Sequence, residues 1–222
     1  MGNLYLVRHG QASFGAADYD NLSELGHRQS VRLGEHFRQK GVQFDAVLCG
    51  TLRRHVQTWE GIKKGAALTL EPIAWPGLNE FDGDALIATI NPHPMERPDT
   101  LDGAKHHFRL LRDGLTQWMN GVVSPKGMPT YPEFVKGVTS ALDHVRQHHT
   151  GNVLIVSSGG PISTALGHIL GTTPETTIGL NLRIRNSSVT EFVYTPKHHN
   201  LVTFNTLPHL ESTEHADWVT YA

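Results

Sequence analysis

The sequence predicts an α/β fold of three layers, in which a mainly parallel sheet lies between helices on both faces. Two observations support this prediction. Short apolar runs that suit buried strands alternate with amphipathic helical stretches in the order strand, helix, strand, helix, strand over the first 73 residues. A helix, a strand and another helix then follow one another between residues 133 and 170. Because parallel strands need crossover connections, this alternation favours a mainly parallel sheet.

The first part of the chain supplies three predicted strands and two predicted helices. Ser23 is a favourable N-cap, and the apolar positions after it recur at helical spacing until Gly41. The second helix begins at Thr51, directly after a buried apolar run, and ends by Gly65. The three strands are predicted over residues 3–7, 46–49 and 68–73.

We expect residues 1–222 to form a single domain, with residues 76–131 as an insertion or cap over the edge of the sheet. Prolines at 92, 94 and 98 interrupt this insertion, and a helical pattern follows over residues 101–118. Residues 208–222 form a polar tail that we expect to be loosely held. The remaining predicted elements are helices over 133–149 and from Pro161 to about residue 170, a strand over 152–156, and a late pair of strands over 189–194 and 201–206.

Composition gives no indication of a nucleic-acid or membrane partner. The net charge is -2, Lys and Arg form no basic cluster, and no apolar stretch is long enough to cross a bilayer. The single cysteine, Cys49, lies in an apolar run and is expected to be a buried hydrophobic residue. These features, together with the absence of a signal-peptide pattern, predict a cytoplasmic protein.

The tripeptide Arg8-His9-Gly10 follows the first predicted strand directly, which places it at the carboxyl end of that strand. Ligands bind at this edge of open α/β sheets. A guanidinium can hold two phosphate oxygens while an imidazole nitrogen attacks phosphorus, so the pair suits phosphoryl chemistry.

Three further segments lie at predicted strand ends. Arg54 occurs near the start of the second helix, where backbone N–H groups also favour anions. Glu80 belongs to a carboxylate cluster after the third predicted strand. Ser158 and Gly159 lie in a strand-to-helix turn whose glycines permit close approach of a phosphate.

Together these segments resemble the histidine phosphatase superfamily, the phosphoglycerate mutase-like proteins. The segment from Leu22 to Gln29 and the late segment from Asn186 to Thr190 also match the family pattern. The resemblance implies that His9 is the nucleophile that becomes a phosphohistidine and that Arg8 and Arg54 bind the phosphoryl oxygens. It also implies that Glu80 protonates the leaving oxygen, and that no metal or other cofactor is required.

One position departs from the family pattern, which places a histidine where this chain has Ser158. Ser158 and the neighbouring Gly159 are expected to replace it in part through hydroxyl and backbone N–H contacts. Ser13 is a further candidate contact to phosphate. His55, beside Arg54, is a conceivable substitute for the missing imidazole, but consecutive helical residues diverge by about 100°, which favours a position facing away from the pocket.

The predicted function is hydrolysis of a small phosphomonoester through a phosphohistidine at His9. A mutase is less favoured, because residues 14–21 do not resemble the loop of the glycolytic mutases. The alternative is a catalytically weak or inactive phospholigand-binding member of the same superfamily. A serine hydrolase centred on Ser158 is disfavoured, because the nucleophile elbow requires a glycine where Val156 stands. The expected partners are a small phosphorylated substrate or inorganic phosphate, and the sequence leaves the oligomeric state open.

Overall fold

A computed structural model describes residues 1–13, 20–91 and 100–221, with the exception of the side chain of Leu101. The mutase-loop comparison at residues 14–19 and the insertion prolines at 92–99 lie outside the described residues. Within the described part, six strands form one sheet in the order β3-β2-β4-β1-β5-β6. The strands are β1 (Gly2–Arg8), β2 (Ala46–Cys49), β3 (Ile73–Ala74), β4 (Val153–Ser157), β5 (Val189–Tyr194) and β6 (His199–Thr206).

The sheet is mainly parallel, as predicted. β1, β2, β3 and β4 pair in parallel, whereas β5 and β6 add an antiparallel edge beyond β1. The helices that connect or follow these strands are α1 (Glu24–Gln39), α2 (Arg53–Ala66), α3 (Gly83–Ile90), α4 (Leu101–Met119), α5 (Tyr131–His148), α6 (Gly159–Leu170) and α7 (Pro174–Asn181).

Each face of the sheet buries its own apolar core. On one face, α1 and α2 pack over strand residues that include Val47, Leu154 and Val156. On the other face, α5 and α6 pack over Leu48 and Ile155, and α4 and α7 extend that core. Residues alternate between the two cores along each strand because successive strand side chains point to opposite faces. The predicted three-layer α/β architecture is confirmed.

Several predicted boundaries need correction. β3 contains only Ile73 and Ala74, because Leu68 and Leu70 pack against the core without pairing with β2. The helix predicted to begin at Pro161 starts two residues earlier, at Gly159. The helices α3 and α7 were not predicted. α3 is short and is capped by Asp82, whose carboxylate accepts from the N–H of Ala85 at 3.0 Å.

The polar tail is bonded to the rest of the fold, so the expectation of a loosely held tail is wrong. Residues Pro208–Leu210 and Thr213–Trp218 form short 3₁₀ helices. The N–H of Asn186 donates to the carbonyl of Thr220 at 2.9 Å, and the hydroxyl of Thr220 donates back to the Asn186 side chain at 2.9 Å. These bonds hold the tail beside the carboxyl end of β1, where the predicted site lies.

Candidate active site

His9 and Ser158 lie side by side at the carboxyl edge of the sheet. β1 and β4 are parallel neighbours, and their register pairs Arg8 with Ser157. The next residue on each strand is therefore His9 and Ser158, and the N–H of His9 donates to the carbonyl of Ser157 at 2.9 Å. Both side chains are buried, with exposed fractions of 3% and 0%. The sheet thus brings together two of the predicted site residues.

The imidazole of His9 is held in one tautomer. Its Nδ1 lies 2.7 Å from the carbonyl oxygen of Gly10, and a carbonyl only accepts, so Nδ1 carries the proton. The lone pair then lies on Nε2, the nitrogen that can attack phosphorus. Burial lowers the pKa of His9 well below its usual value, and the charges of Arg8 and Arg54 lower it further. A neutral, oriented imidazole is the form required of a nucleophile.

Arg54 is brought to the same edge by the first turn of α2 and is buried. Its Nη1 donates to a carboxylate oxygen of Asp20 at 2.8 Å. The other oxygen of Asp20 accepts from the N–H of Arg53 at 2.8 Å, so this carboxylate caps the start of α2. Sequence reasoning missed Asp20, because its pairing with Arg54 spans 34 residues and no local pattern marks it.

The side chain of Arg8 is half-buried and contacts the C-terminal part of the chain. Its Nη1 donates to the carbonyl of Tyr221 at 2.7 Å and to the carbonyl of Ile184. These contacts connect the predicted phosphate-binding guanidinium to the tail. They leave its charge close enough to lower the pKa of both His9 and Glu80.

Glu80 lies against the first turn of α6. One carboxylate oxygen accepts from the N–H of Gly160 at 3.1 Å, and the other accepts from the N–H of Phe81 at 3.3 Å. Burial raises the pKa of Glu80 above its usual value, although these hydrogen bonds and the charges of Arg54 and Arg8 oppose the rise. A raised pKa keeps the carboxyl protonated closer to neutral pH, which suits a proton donor.

His55 faces the site, so the preferred prediction that it points away is wrong. Its Nε2 lies 2.6 Å from the hydroxyl oxygen of Ser158, and its ring centroid lies 5.8 Å from that of His9. Both Arg54 and His55 belong to the first turn of α2, and that helix begins at the carboxyl edge of the sheet. Two side chains about 100° apart in that turn can therefore both be directed into the site.

Ser13 and Gly159 are the other two residues predicted to contact phosphate. The hydroxyl of Ser13 donates to the carbonyl of Leu22 at 3.1 Å, which uses its proton within the loop. Gly159 is the first residue of α6, and a Cβ added there would lie 2.6 Å from the side-chain oxygen of Asn181. Its N–H stands at the positive end of the α6 dipole, beside Ser158.

Cys49 is buried, and burial raises the pKa of its thiol to about 12, so it stays protonated. Among the residues that the structure describes, no group of three or more His, Cys, Asp or Glu side chains is arranged to hold a metal ion. Within the same residues, no helix is both long enough and apolar enough to cross a membrane.

A family model described as the histidine phosphatase superfamily, branch 1, matches residues 4–207. The chain therefore belongs to the histidine phosphatase superfamily. A Hydrogenobacter thermophilus protein with the provisional name phosphoserine phosphatase 2 is 29% identical, and the match covers 94% of this chain and 98% of that protein.

Solved structures support the same fold. A phosphoserine phosphatase from Entamoeba histolytica, in complex with 3-phosphoglyceric acid, is 22% identical with a TM-score of 0.67, over 95% of this chain and 100% of that one. A phosphoglycerate mutase from Bacillus anthracis is 18% identical with a TM-score of 0.66, over 94% of each chain. The predicted family is confirmed, and the predicted class of enzyme, a phosphoric monoester hydrolase, agrees with the family and with the phosphatases among these relatives.

Proposed function

We propose that this protein hydrolyses small phosphomonoesters through a phosphohistidine formed on Nε2 of His9. The observation that carries the proposal is the buried, neutral imidazole of His9, whose proton is fixed on Nδ1 by the Gly10 carbonyl at 2.7 Å. Arg8 and Arg54 supply the two positive charges near it. A phosphoryl dianion fits this combination of a nucleophile and two guanidinium groups.

In the first step, the Nε2 lone pair of His9 attacks phosphorus while the bond from phosphorus to the ester oxygen breaks. The imidazole becomes positively charged, and the Gly10 carbonyl stabilises that charge through the Nδ1 proton. Glu80 gives its proton to the leaving oxygen, so the dephosphorylated leaving group departs as an alcohol and the phosphoryl group remains on His9. Arg8 and Arg54 bind the phosphoryl oxygens, whose negative charge they offset.

In the second step, water attacks phosphorus and the bond from phosphorus to Nε2 breaks. The Glu80 carboxylate accepts a proton from that water, which returns the acid to its starting form. The products are inorganic phosphate and free His9. No metal ion takes part in either step as proposed.

The substrate class follows from the site and the relatives together. We propose a small phosphorylated molecule in the class of phosphoserine or 3-phosphoglycerate, because the relatives include phosphoserine phosphatases and one of these is in complex with 3-phosphoglyceric acid. We also propose that residues 76–131 act as the cap of a single domain. Side chains of α4 and α7 line a small apolar cavity of about 10 Å³ together with Gly160 and Phe81, next to Glu80. The single cysteine supports a reducing compartment, the cytoplasm.

Steady-state hydrolysis of phosphoserine, 3-phosphoglycerate and an aryl phosphate tests the proposal. We expect turnover by the wild type and a loss of at least about a thousandfold in His9→Ala, because removing the nucleophile leaves only binding and charge stabilisation. His27→Ala, which changes an exposed histidine on α1, is the matched control. Phosphate binding with no turnover in the wild type would instead support the weak or inactive binding member, and turnover that persists in His9→Ala would refute the phosphohistidine.

A further inference from the structure

Two side chains form a buried pair within the site that the proposed steps leave unassigned. His55 and Ser158 both have an exposed fraction of 0%, and only 2.6 Å separates Nε2 from Oγ. The pair connects α2 to the turn between β4 and α6, over 103 residues of sequence. Its position beside His9, at 5.8 Å between ring centroids, places it at the same phosphoryl site.

Gly50 provides the space that His55 occupies. A Cβ added to Gly50 would lie 2.1 Å from Nδ1 of His55, so any larger residue there would displace the ring. Nδ1 therefore faces the Cα hydrogens of Gly50, and it is buried without a hydrogen-bond partner. A proton on Nδ1 would be an unsatisfied buried donor directed at a C–H group, which is costly. The favoured tautomer carries its proton on Nε2.

This tautomer fixes the direction of the hydrogen bond between the pair. Nε2–H donates to Oγ of Ser158, so the hydroxyl proton of Ser158 is directed away from His55. Ser158 is also the N-cap of α6, where backbone N–H groups favour an anion. The hydroxyl proton then has an acceptor available when a phosphoryl group lies between His9 and the start of α6.

We propose that His55 is a positioning residue that holds the Ser158 hydroxyl as a hydrogen-bond donor to the phosphoryl oxygens, an inference that rests on the proposed function. The pair supplies one donor without adding a positive charge beside His9. A second positive charge at this position would repel the positive charge that His9 acquires when Nε2 attacks phosphorus, and would make that step less favourable.

The same arrangement opposes a Ser158 nucleophile. Burial and, to a smaller extent, the charge of Arg54 lower the pKa of His55 to about 3. An imidazole that resists protonation and already carries its proton on Nε2 cannot take the proton of Ser158. We therefore expect no labelling of Ser158 by a fluorophosphonate probe.

The first experiment compares His55→Leu with His55→Gln in phosphatase assays. Leucine removes the Nε2–H group that orients the Ser158 hydroxyl and should lower kcat by about 10- to 100-fold, less than the roughly 10²- to 10³-fold cost of losing a preorganised donor itself. The amide nitrogen of glutamine can take the place of Nε2, so His55→Gln should recover most of that loss. Val56→Ala, on the exposed side of the same helix, is the control variant and should match the wild type.

A double-mutant cycle then separates positioning from general damage. If His55 acts through Ser158, His55→Leu should cause no further loss of kcat in a Ser158→Ala background. Equal losses from His55→Leu in both backgrounds would overturn the proposal. His9→Ala is assayed in parallel: turnover that survives it refutes the proposed function, whereas a dead His9→Ala with a fully active His55→Leu refutes only the role of His55.

The tautomer of His55 is measured on the folded wild type, so this test does not depend on a variant that folds. Nitrogen NMR of the imidazole at neutral pH should show a protonated Nε2 and an unprotonated Nδ1. The opposite assignment would make Nε2 accept the proton of Ser158, and would overturn the proposal.

Discussion

Replacing Glu80 with glutamine tests the proposal that Glu80 is the acid that protonates the leaving group. The carboxylate accepts from two backbone N–H groups, those of Gly160 at 3.1 Å and Phe81 at 3.3 Å. A glutamine amide has one oxygen and can satisfy only one of them, so the NH₂ group faces the other donor. We expect the free energy of unfolding to fall by about 1–3 kcal/mol, the cost of one unsatisfied buried group. The fold should survive this change.

The rate effect should depend on the leaving group. An alkyl phosphate such as phosphoserine needs a proton on its leaving oxygen, so Glu80→Gln should lower kcat by about 10²- to 10⁴-fold. A nitrophenyl phosphate releases a stable anion without that proton, so its kcat should fall by less than about tenfold. Equal losses for the two substrates would refute the assignment of Glu80 as the acid.

The pH profile provides an independent measurement on the same variant. Because burial raises the pKa of Glu80, the protonated acid is lost as pH rises through that raised value. The kcat/KM of the wild type for phosphoserine should therefore decline on the alkaline side. Glu80→Gln has no such group, so a decline of the same shape in the variant would assign it to another residue.

The remaining predictions concern the surroundings of the site. Asp20→Asn removes a negative charge 2.8 Å from Arg54 but keeps an acceptor for the start of α2. Calorimetry should therefore show that inorganic phosphate binds about 3- to 10-fold more tightly to this variant. Weaker binding would mean that the Asp20 carboxylate orients Arg54. Deletion from Val219 onward removes four hydrogen bonds of Thr220 and Tyr221, so urea denaturation should show a loss of about 4 kcal/mol at ~1 kcal/mol per bond, and KM should rise. A stability equal to that of the full chain would contradict these contacts. Burial first, and then neighbouring cationic side chains such as Arg32, lower the pKa of His209 to about 3. Its contribution to stability is therefore present above about pH 6.5 and is lost as pH falls below that value, at about 1.4 kcal/mol per pH unit. His209→Gln, which can keep the bond to Ser187, should reduce this slope between pH 6.5 and 5, and an unchanged slope would show that His209 is not the group that titrates.

The sequence predicts the architecture and the edge at which the site forms, because both depend on local patterns. Alternating strand and helix periods identify the layers, and motifs that follow strands must meet at the carboxyl edge of a parallel sheet. His9 and Ser158 become neighbours for this reason, through the register of β1 and β4. β3 is the exception, since Leu68 and Leu70 are apolar without being paired.

The sequence could not predict contacts that depend on tertiary position. The 100° separation of consecutive helical residues predicts that Arg54 and His55 diverge, but both belong to the first turn of α2, where both side chains can reach the site. The space beside Gly50 that admits His55 exists only once β2, β4 and α2 are assembled. The bonds from Arg8 to the carbonyls of Ile184 and Tyr221 likewise join segments more than 170 residues apart.

Rapid-quench trapping with ³²P-labelled phosphoserine examines the nucleophile itself. During turnover the wild type should carry a label that is stable to alkali and labile to acid, and peptide mapping should place it on the imidazole of His9. The label should be missing in His9→Ala and should accumulate if hydrolysis of the intermediate is slowed. An acid-stable label on Ser158, or rapid turnover with no covalent label at any quench time, would contradict a mechanism built on His9.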